Sequence, residues 1–227
     1  MAKTFLTSDL HLGHENIIQY SERPFDSLEE MHETIRNQWN AVVNPEDTVF
    51  VLGDVAMGDR QKELTQLLHL NGKKILINGN HDRCSPVNNR SWEYQHEYLF
   101  DSNGNRLFSA VMDHTVISLP GLSRKLPNKK VMASHYPYVG DHTDRPHLDK
   151  FRLRDEGRWL VHGHIHEAGW LQRSPKSGTV MFNVGVDVNG FAPVEARHAH
   201  ELMKAFEESG DQSWDTPADQ FKKVKQL

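Results

Sequence analysis

The chain has 227 residues, a net charge of −5, 37% hydrophobic residues and a single cysteine, Cys84. That length suits one good-sized domain with a packed core and leaves little room for two. One thiol excludes a disulfide framework and a thiolate-rich zinc site, and the negative balance argues against a broad electrostatic grip on nucleic acid. Asp9 comes too early for a signal peptide, and no apolar run approaches the roughly 20 residues that span a bilayer. A soluble, cytoplasmic protein is expected. The unusual quantity is 15 histidines, against five tryptophans and five tyrosines, and their placement carries the functional reading.

Residues 3–8 are mostly apolar and β-branched, then Asp9-Leu10-His11-Leu12-Gly13-His14 turns abruptly polar. Residues 26–43 predict a helix. Asp26 and Glu29 have capping-box spacing, and Leu28, Met31, Ile35, Trp39 and Val42 keep to one stripe. Residues 48–52 predict a buried strand that runs into Gly53-Asp54. A second helix is expected over 60–70, with Leu64, Leu67 and Leu68 facing inward and Asn71-Gly72 as its stop. Residues 74–77 predict a third strand, ending at Asn78-Gly79-Asn80-His81-Asp82. This alternation implies an α/β layered fold with at least part of its sheet parallel.

The middle of the chain is less legible. Residues 92–100 are aromatic-rich, 102–105 form a turn, and 115–119 have strand character. Apolar runs then lead into His135, into His162-Gly163-His164-Ile165-His166, and into Asn183-Val184-Gly185. A closing helix is expected over 195–208. The domain is therefore taken as 1–208, with 209–227 as a polar, loosely held tail.

Five strand-like runs end in a metal-capable or acid–base side chain: Asp9 with His11, Asp54, Asn80 with His81, His135, and His164 with His166. In α/β folds, residues just beyond the carboxyl ends of strands converge on one crevice. Asp, Asn and His side chains gathered there suit two divalent cations. Nitrogen and oxygen donors without sulfur favour manganese, then iron, zinc, cobalt or nickel, over copper(I) or a structural zinc. Two carboxylates and a bridging hydroxide would offset about three of roughly four positive charges, which leaves the site attractive to phosphate. Such an ion pair activates water and stabilises attacking and leaving oxygens; a histidine proton donor beside it completes phosphoester hydrolysis.

Asp9-Leu10-His11, Gly53-Asp54, Gly79-Asn80-His81-Asp82, His135 and Gly163-His164-Ile165-His166 resemble, in order, the five blocks of the calcineurin-like metallophosphoesterase superfamily. The resemblance spans residues 9–166. It implies a four-layer αββα sandwich with a dimetal site at strand C-terminal ends. By position it implies Asp9, His11 and His166 on a first metal, Asn80, His135 and His164 on a second, and Asp54 bridging both. His81 is implied as the residue that contacts phosphate and protonates the leaving group, with Asp82 as an orienting neighbour.

One departure narrows the family reading. Met57 stands where the superfamily's protein serine/threonine phosphatases and bacterial cyclic-nucleotide phosphodiesterases usually carry a second Asp. The chain looks more like the small bacterial and phage phosphoesterases that begin Ser-Asp-x-His-x-Gly-His-Glu-Asn, as Ser8 to Asn16 do here.

Blander roles compete for some of these residues. Asp9 and Asp54 are also turn and capping types, Asn80 sits in a Gly-Asn turn, and His135 alone is a poor motif. Alternation around Ile165 aims His164 and His166 the same way on an extended segment. His162 is expected to be packed or hydrogen-bonded. Candidate substrate contacts are His14, Arg83 and His142, with a plain surface role the alternative for Arg83. Residues 140–147 read equally as a substrate loop or a solvated connection. The reaction expected is phosphate-ester hydrolysis, slightly favouring diesters because no arginine pair is evident for a dianionic terminal phosphate. A nuclease is the alternative within the class, and a catalytically silent scaffold the alternative outside it. No membrane partner is expected, nucleic acid is not favoured, and the oligomeric state is left open.

Overall fold

In the computed structural model, which describes residues 2–140, 146–166 and 169–214, two β-sheets pack together with helices against them. The elements in chain order are β1 (Thr4–Thr7), α1 (Asn16–Tyr20), α2 (Leu28–Val42), β2 (Thr48–Val51), α3 (Arg60–Leu64), β3 (Lys73–Ile77), α4 (Gln95–Leu99), β4 (Ala110–Met112), β5 (His114–Leu119), β6 (Lys129–Ser134), β7 (Leu160–His162), β8 (Leu171–Arg173), β9 (Val180–Asn183), β10 (Val194–Glu195), α5 (Ala196–Ser209) and β11 (Ser213–Trp214). The first sheet has the order β10-β1-β2-β3-β4 and the second β11-β8-β9-β7-β6-β5. Strands β1 to β4 are mutually parallel, as are β6, β7 and β9. This is the α/β sandwich that the resemblance implies.

Strand alternation sorts each sheet's side chains between two faces. Leu6 and Ile77 of the first sheet meet Ile117, Val131, Ala133, Val161 and Phe182 of the second in one core. Their neighbours Phe5, Val49, Val51 and Leu76 point the other way, into a second core with Met31, Ile35 and Trp39 of α2. Leu160 and Met181 cover the far face of the second sheet with Tyr138. Helix α5 sends Ala199, Leu202, Met203 and Phe206 into the inter-sheet core.

Three sequence expectations are corrected. The cap of α2 is Ser27, whose side chain accepts from the Glu30 amide, while Glu30 reaches back to the Asp26 amide; the capping box lies one residue later than Asp26–Glu29. The helix expected over 60–70 is α-helical only through Leu64 and then tightens to a 3-10 turn, Thr65–His69. Three residues per turn carry Leu68 outward, to 42% exposure, whereas Leu64 and Leu67 are buried. Finally, the tail does not begin at 209: Ser213–Trp214 pairs with β8, and Trp214 is buried against Phe206. A large aromatic ring gains more from that apolar contact than a polar tail context suggests.

Candidate metal centre

The loops that leave β1, β2 and β3 are laced together by backbone bonds. The Asp9 amide donates to Gly53 O and the His11 amide to Asp54 O, each at 3.0 Å. The second sheet is tied in at the same edge, where the His164 amide donates to Asp9 Oδ2 at 3.0 Å, and within that sheet the Gly163 amide donates to His135 O at 2.9 Å. Such close approach requires glycine. A Cβ on Gly163 would meet Ser8 Oγ and Asp9 Oδ2, and one on Gly53, whose φ is +89°, would lie 2.6 Å from His135 Nδ1.

Backbone strain concentrates here. Among the described residues, the non-glycine positions with left-handed φ are Asp9, His11, Asp54, His164 and His166, with Glu22 and Phe191 besides. Such conformations cost on the order of 1 kcal/mol or more each, and persist where the surroundings over-determine them. Five of the seven are residues implied as metal ligands.

The side chains converge in two groups. Asp9, His11 and His166 each offer a donor atom within 4.8 Å of the others, and Asp54, His135 and His164 do the same. Asn80 Oδ1 lies 3.0 Å from His135 Nε2 and so joins the second group. Asp54 Oδ2 is 3.8 Å from His11 Nε2 and 3.5 Å from His135 Nε2, between the two.

Protonation shows what the groups fit. His135 Nδ1 sits 2.6 Å from the Leu52 carbonyl, so it must carry the proton and donate. In the neutral ring Nε2 then has only a lone pair, facing the Asn80 and Asp54 oxygens. His11 Nε2 is buried without a hydrogen-bond partner. Burial first, then the neighbouring His166, pushes His11 well below the ordinary histidine range; burial also raises Asp54. Lone pairs and carboxylate oxygens crowded together without protons are costly. Divalent cations on these nitrogen and oxygen donors would remove that cost, so each group could hold one.

Two residues of the third block are held by this frame. The His81 amide donates to Asp54 Oδ1 at 2.8 Å, and its ring Nε2 lies 4.0 Å from Asp54 Oδ2. The His81 side chain is 32% exposed, against 3% or less for His11, Asp54 and His135, so a substrate can reach it. Asp82 takes no place in either group. It accepts from the amides of Asp54, Val55 and Gly79. Burial, and then the Asp54 charge, push it up to about 6.

The candidate substrate contacts separate. His14 Nδ1 lies 3.2 Å from His11 Nδ1, at the rim. Arg83 is exposed, with its guanidinium 5.1 Å from the Tyr94 ring centroid. His142 lies outside the described residues. His162 is buried, with Nδ1 2.9 Å from Gly163 O, and burial pushes it down to about 4. Sequence reasoning passed over Asn183, whose amide nitrogen donates to His166 O at 2.8 Å and to Gly169 O. Its signal was the place of an Asn at the end of a strand, just before Val184-Gly185.

The model of the calcineurin-like phosphoesterase family matches residues 2–168. The chain belongs to this family. Gene 66 protein of Mycobacterium phage L5 is 34% identical over 193 residues, covering 84% of this chain and 89% of the phage protein. An uncharacterized protein of Methanocaldococcus jannaschii is 45% identical over 200 residues, 86% of this chain and 87% of that one. Among solved structures, a protein of unknown function from Aquifex aeolicus is similar with a TM-score of 0.60 and 25% identity, over 89% of this chain and 100% of that chain. Membership of the calcineurin-like phosphoesterase family implies a hydrolase, and divalent metals are its usual cofactors. Among the described residues, no helix is long and apolar enough to cross a membrane.

Proposed function

We propose that this protein hydrolyses phosphate esters with two divalent ions, preferring diesters, and that manganese serves as the metal. The observation that carries the reading is the position of Asp54, whose Oδ2 stands within 3.8 Å of a histidine nitrogen from each group. Asp9, His11 and His166 would hold one ion; Asn80, His135 and His164 the other; Asp54 both. When bound, the ions would supply a hydroxide nucleophile near neutral pH and Lewis acidity toward the phosphoryl oxygens.

The rest falls to the chain's own side chains. His81, fixed through its amide by Asp54 and open to solvent on one side, donates a proton to the leaving oxygen. His14 at the rim offers a contact to a phosphate oxygen. The diester preference is supported by the fate of two nearby arginines. Arg23 is committed to Asp187, and Arg83 stacks on Tyr94. Neither supplies a guanidinium pair for a terminal dianion.

The test is a manganese-loaded assay on mono- and bis-nitrophenyl phosphate, with single-stranded oligonucleotides alongside. Turnover of the diester ahead of the monoester, abolished in Asp54→Asn, is expected. Activity that survives Asp54→Asn, or is absent with every divalent metal, overturns the hydrolase reading. A monoester preference overturns the diester part alone, and oligonucleotide cleavage would assign the substrate to nucleic acid.

A further inference from the structure

Two residues that belong to none of the five blocks meet behind the first metal group. Arg23 lies between α1 and α2, and Asp187 in a 3-10 turn after β9. Arg23 Nε donates to Asp187 Oδ1 at 2.7 Å and Nη2 to Oδ2 at 3.1 Å, a two-pronged ion pair with side chains 0% and 2% exposed. The same guanidinium donates to the carbonyls of Asp9, at 2.7 Å, and Leu10, at 3.2 Å. On the other side, Asp187 Oδ2 lies 2.9 Å from His166 Nδ1.

We propose that Arg23 and Asp187 are a positioning pair for the ion held by Asp9, His11 and His166, a role that rests on the two-metal reading above. A fully buried ion pair is no reliable source of stability, since well-packed apolar residues often do as well. Its geometry instead sets orientation at two ligands. Held against a guanidinium, the Asp187 carboxylate has only acceptor oxygens, so His166 Nδ1 must donate to it. That leaves Nε2 as the ring nitrogen with a lone pair for the metal. Meanwhile the grip on Asp9 O holds a ligand whose φ is +59°.

An amide cannot replace this carboxylate. With its oxygen toward His166, the NH2 of an asparagine would face Arg23 Nε–H; turned over, it would present NH2 to His166 Nδ1 and impose the opposite tautomer. Asp187→Asn is nearly isosteric, so it tests orientation and not bulk. Calorimetric titration of the metal-free full chain with Mn2+ is expected to give two ions for the native protein. In Asp187→Asn, one ion should weaken about 10–100-fold while the other keeps its affinity. Arg23→Lys, which keeps the charge and loses the fork, should weaken the same ion. Unchanged affinities, or equal loss at both ions, overturn the proposal.

A second measurement needs neither a variant nor a metal. Ring 15N NMR of neutral His166 in the metal-free native protein should show the proton on Nδ1; a proton on Nε2 overturns the pair's role. If the native protein binds no Mn2+ at all, the two-metal reading falls instead, and the tautomer still reports on the pair.

Discussion

Asp82 Oδ2 accepts the Asp54 amide at 3.0 Å, so the buried carboxylate of the third block positions the residue of the second that stands between the two candidate metal groups. The same oxygen takes the Gly79 amide at 2.8 Å, and Oδ1 takes that of Val55 at 3.1 Å. Two loops from adjacent parallel strands therefore depend on one side chain that has oxygens at both ends.

Asp82→Asn places an amide NH2 against at least one of those N–H groups. Leaving a buried donor unsatisfied costs about 1–3 kcal/mol. Urea unfolding of the metal-free protein should show a loss of that size, together with weaker Mn2+ binding because Asp54 shifts. A stability change under about 0.5 kcal/mol, the range of an ordinary surface substitution, would contradict this account.

His162 makes the fold sensitive to acid. Burial lowers it from the ordinary 6.5 to about 4, so between those values the unfolded chain binds the proton and the folded chain does not. The stability involved, roughly 3 kcal/mol, is full above pH 6.5 and is lost progressively as pH falls toward 4. Asp82, raised by burial to about 6, acts with the opposite sign over much of that window, so the measured quantity is a difference: the unfolding free energy of the native protein minus that of His162→Gln should rise with pH between about 4 and 6.5. Parallel slopes for the two proteins would remove His162 as the cause.

Gly163→Ala tests the join between the sheets. Its methyl would collide with Ser8 Oγ and Asp9 Oδ2, and overpacking of this kind costs about 1–3 kcal/mol. Because Asp9 must move, Mn2+ affinity should fall further than stability predicts. Normal binding in a folded variant would show that the strand ends have slack.

His81→Gln addresses proton donation. General acid catalysis contributes about 10²–10⁴-fold, but a nitrophenolate leaves readily without a proton. Turnover of an alkyl phosphodiester should therefore drop far more than that of the nitrophenyl diester, with Mn2+ binding retained. Equal losses on the two substrates would assign His81 to binding.

Much of the site was legible before any coordinates because its signals are local. Asp9, Asp54, Asn80, His135 and His164 each follow an apolar run, and parallel strands carry such ends to one edge of each of the two sheets. Period and punctuation also located α2, β2, β3, β5, β6 and α5 to within a few residues. What failed was either too short to have a period or set by a partner far along the chain. Strands β8, β10 and β11 have two or three residues each, and exist because neighbouring strands supply their hydrogen bonds.

By itself, the sequence determined which side chains stand at the strand ends, since hydrophobic alternation and the residue that breaks it are neighbours on the chain. Only the tertiary structure decided their protonation and aim. The Leu52 carbonyl beneath His135 is 83 positions away, and Asp187 meets Arg23 across 164. No local pattern encodes such pairings. They are selected when two sheets close over a shared core and every buried donor must find its acceptor.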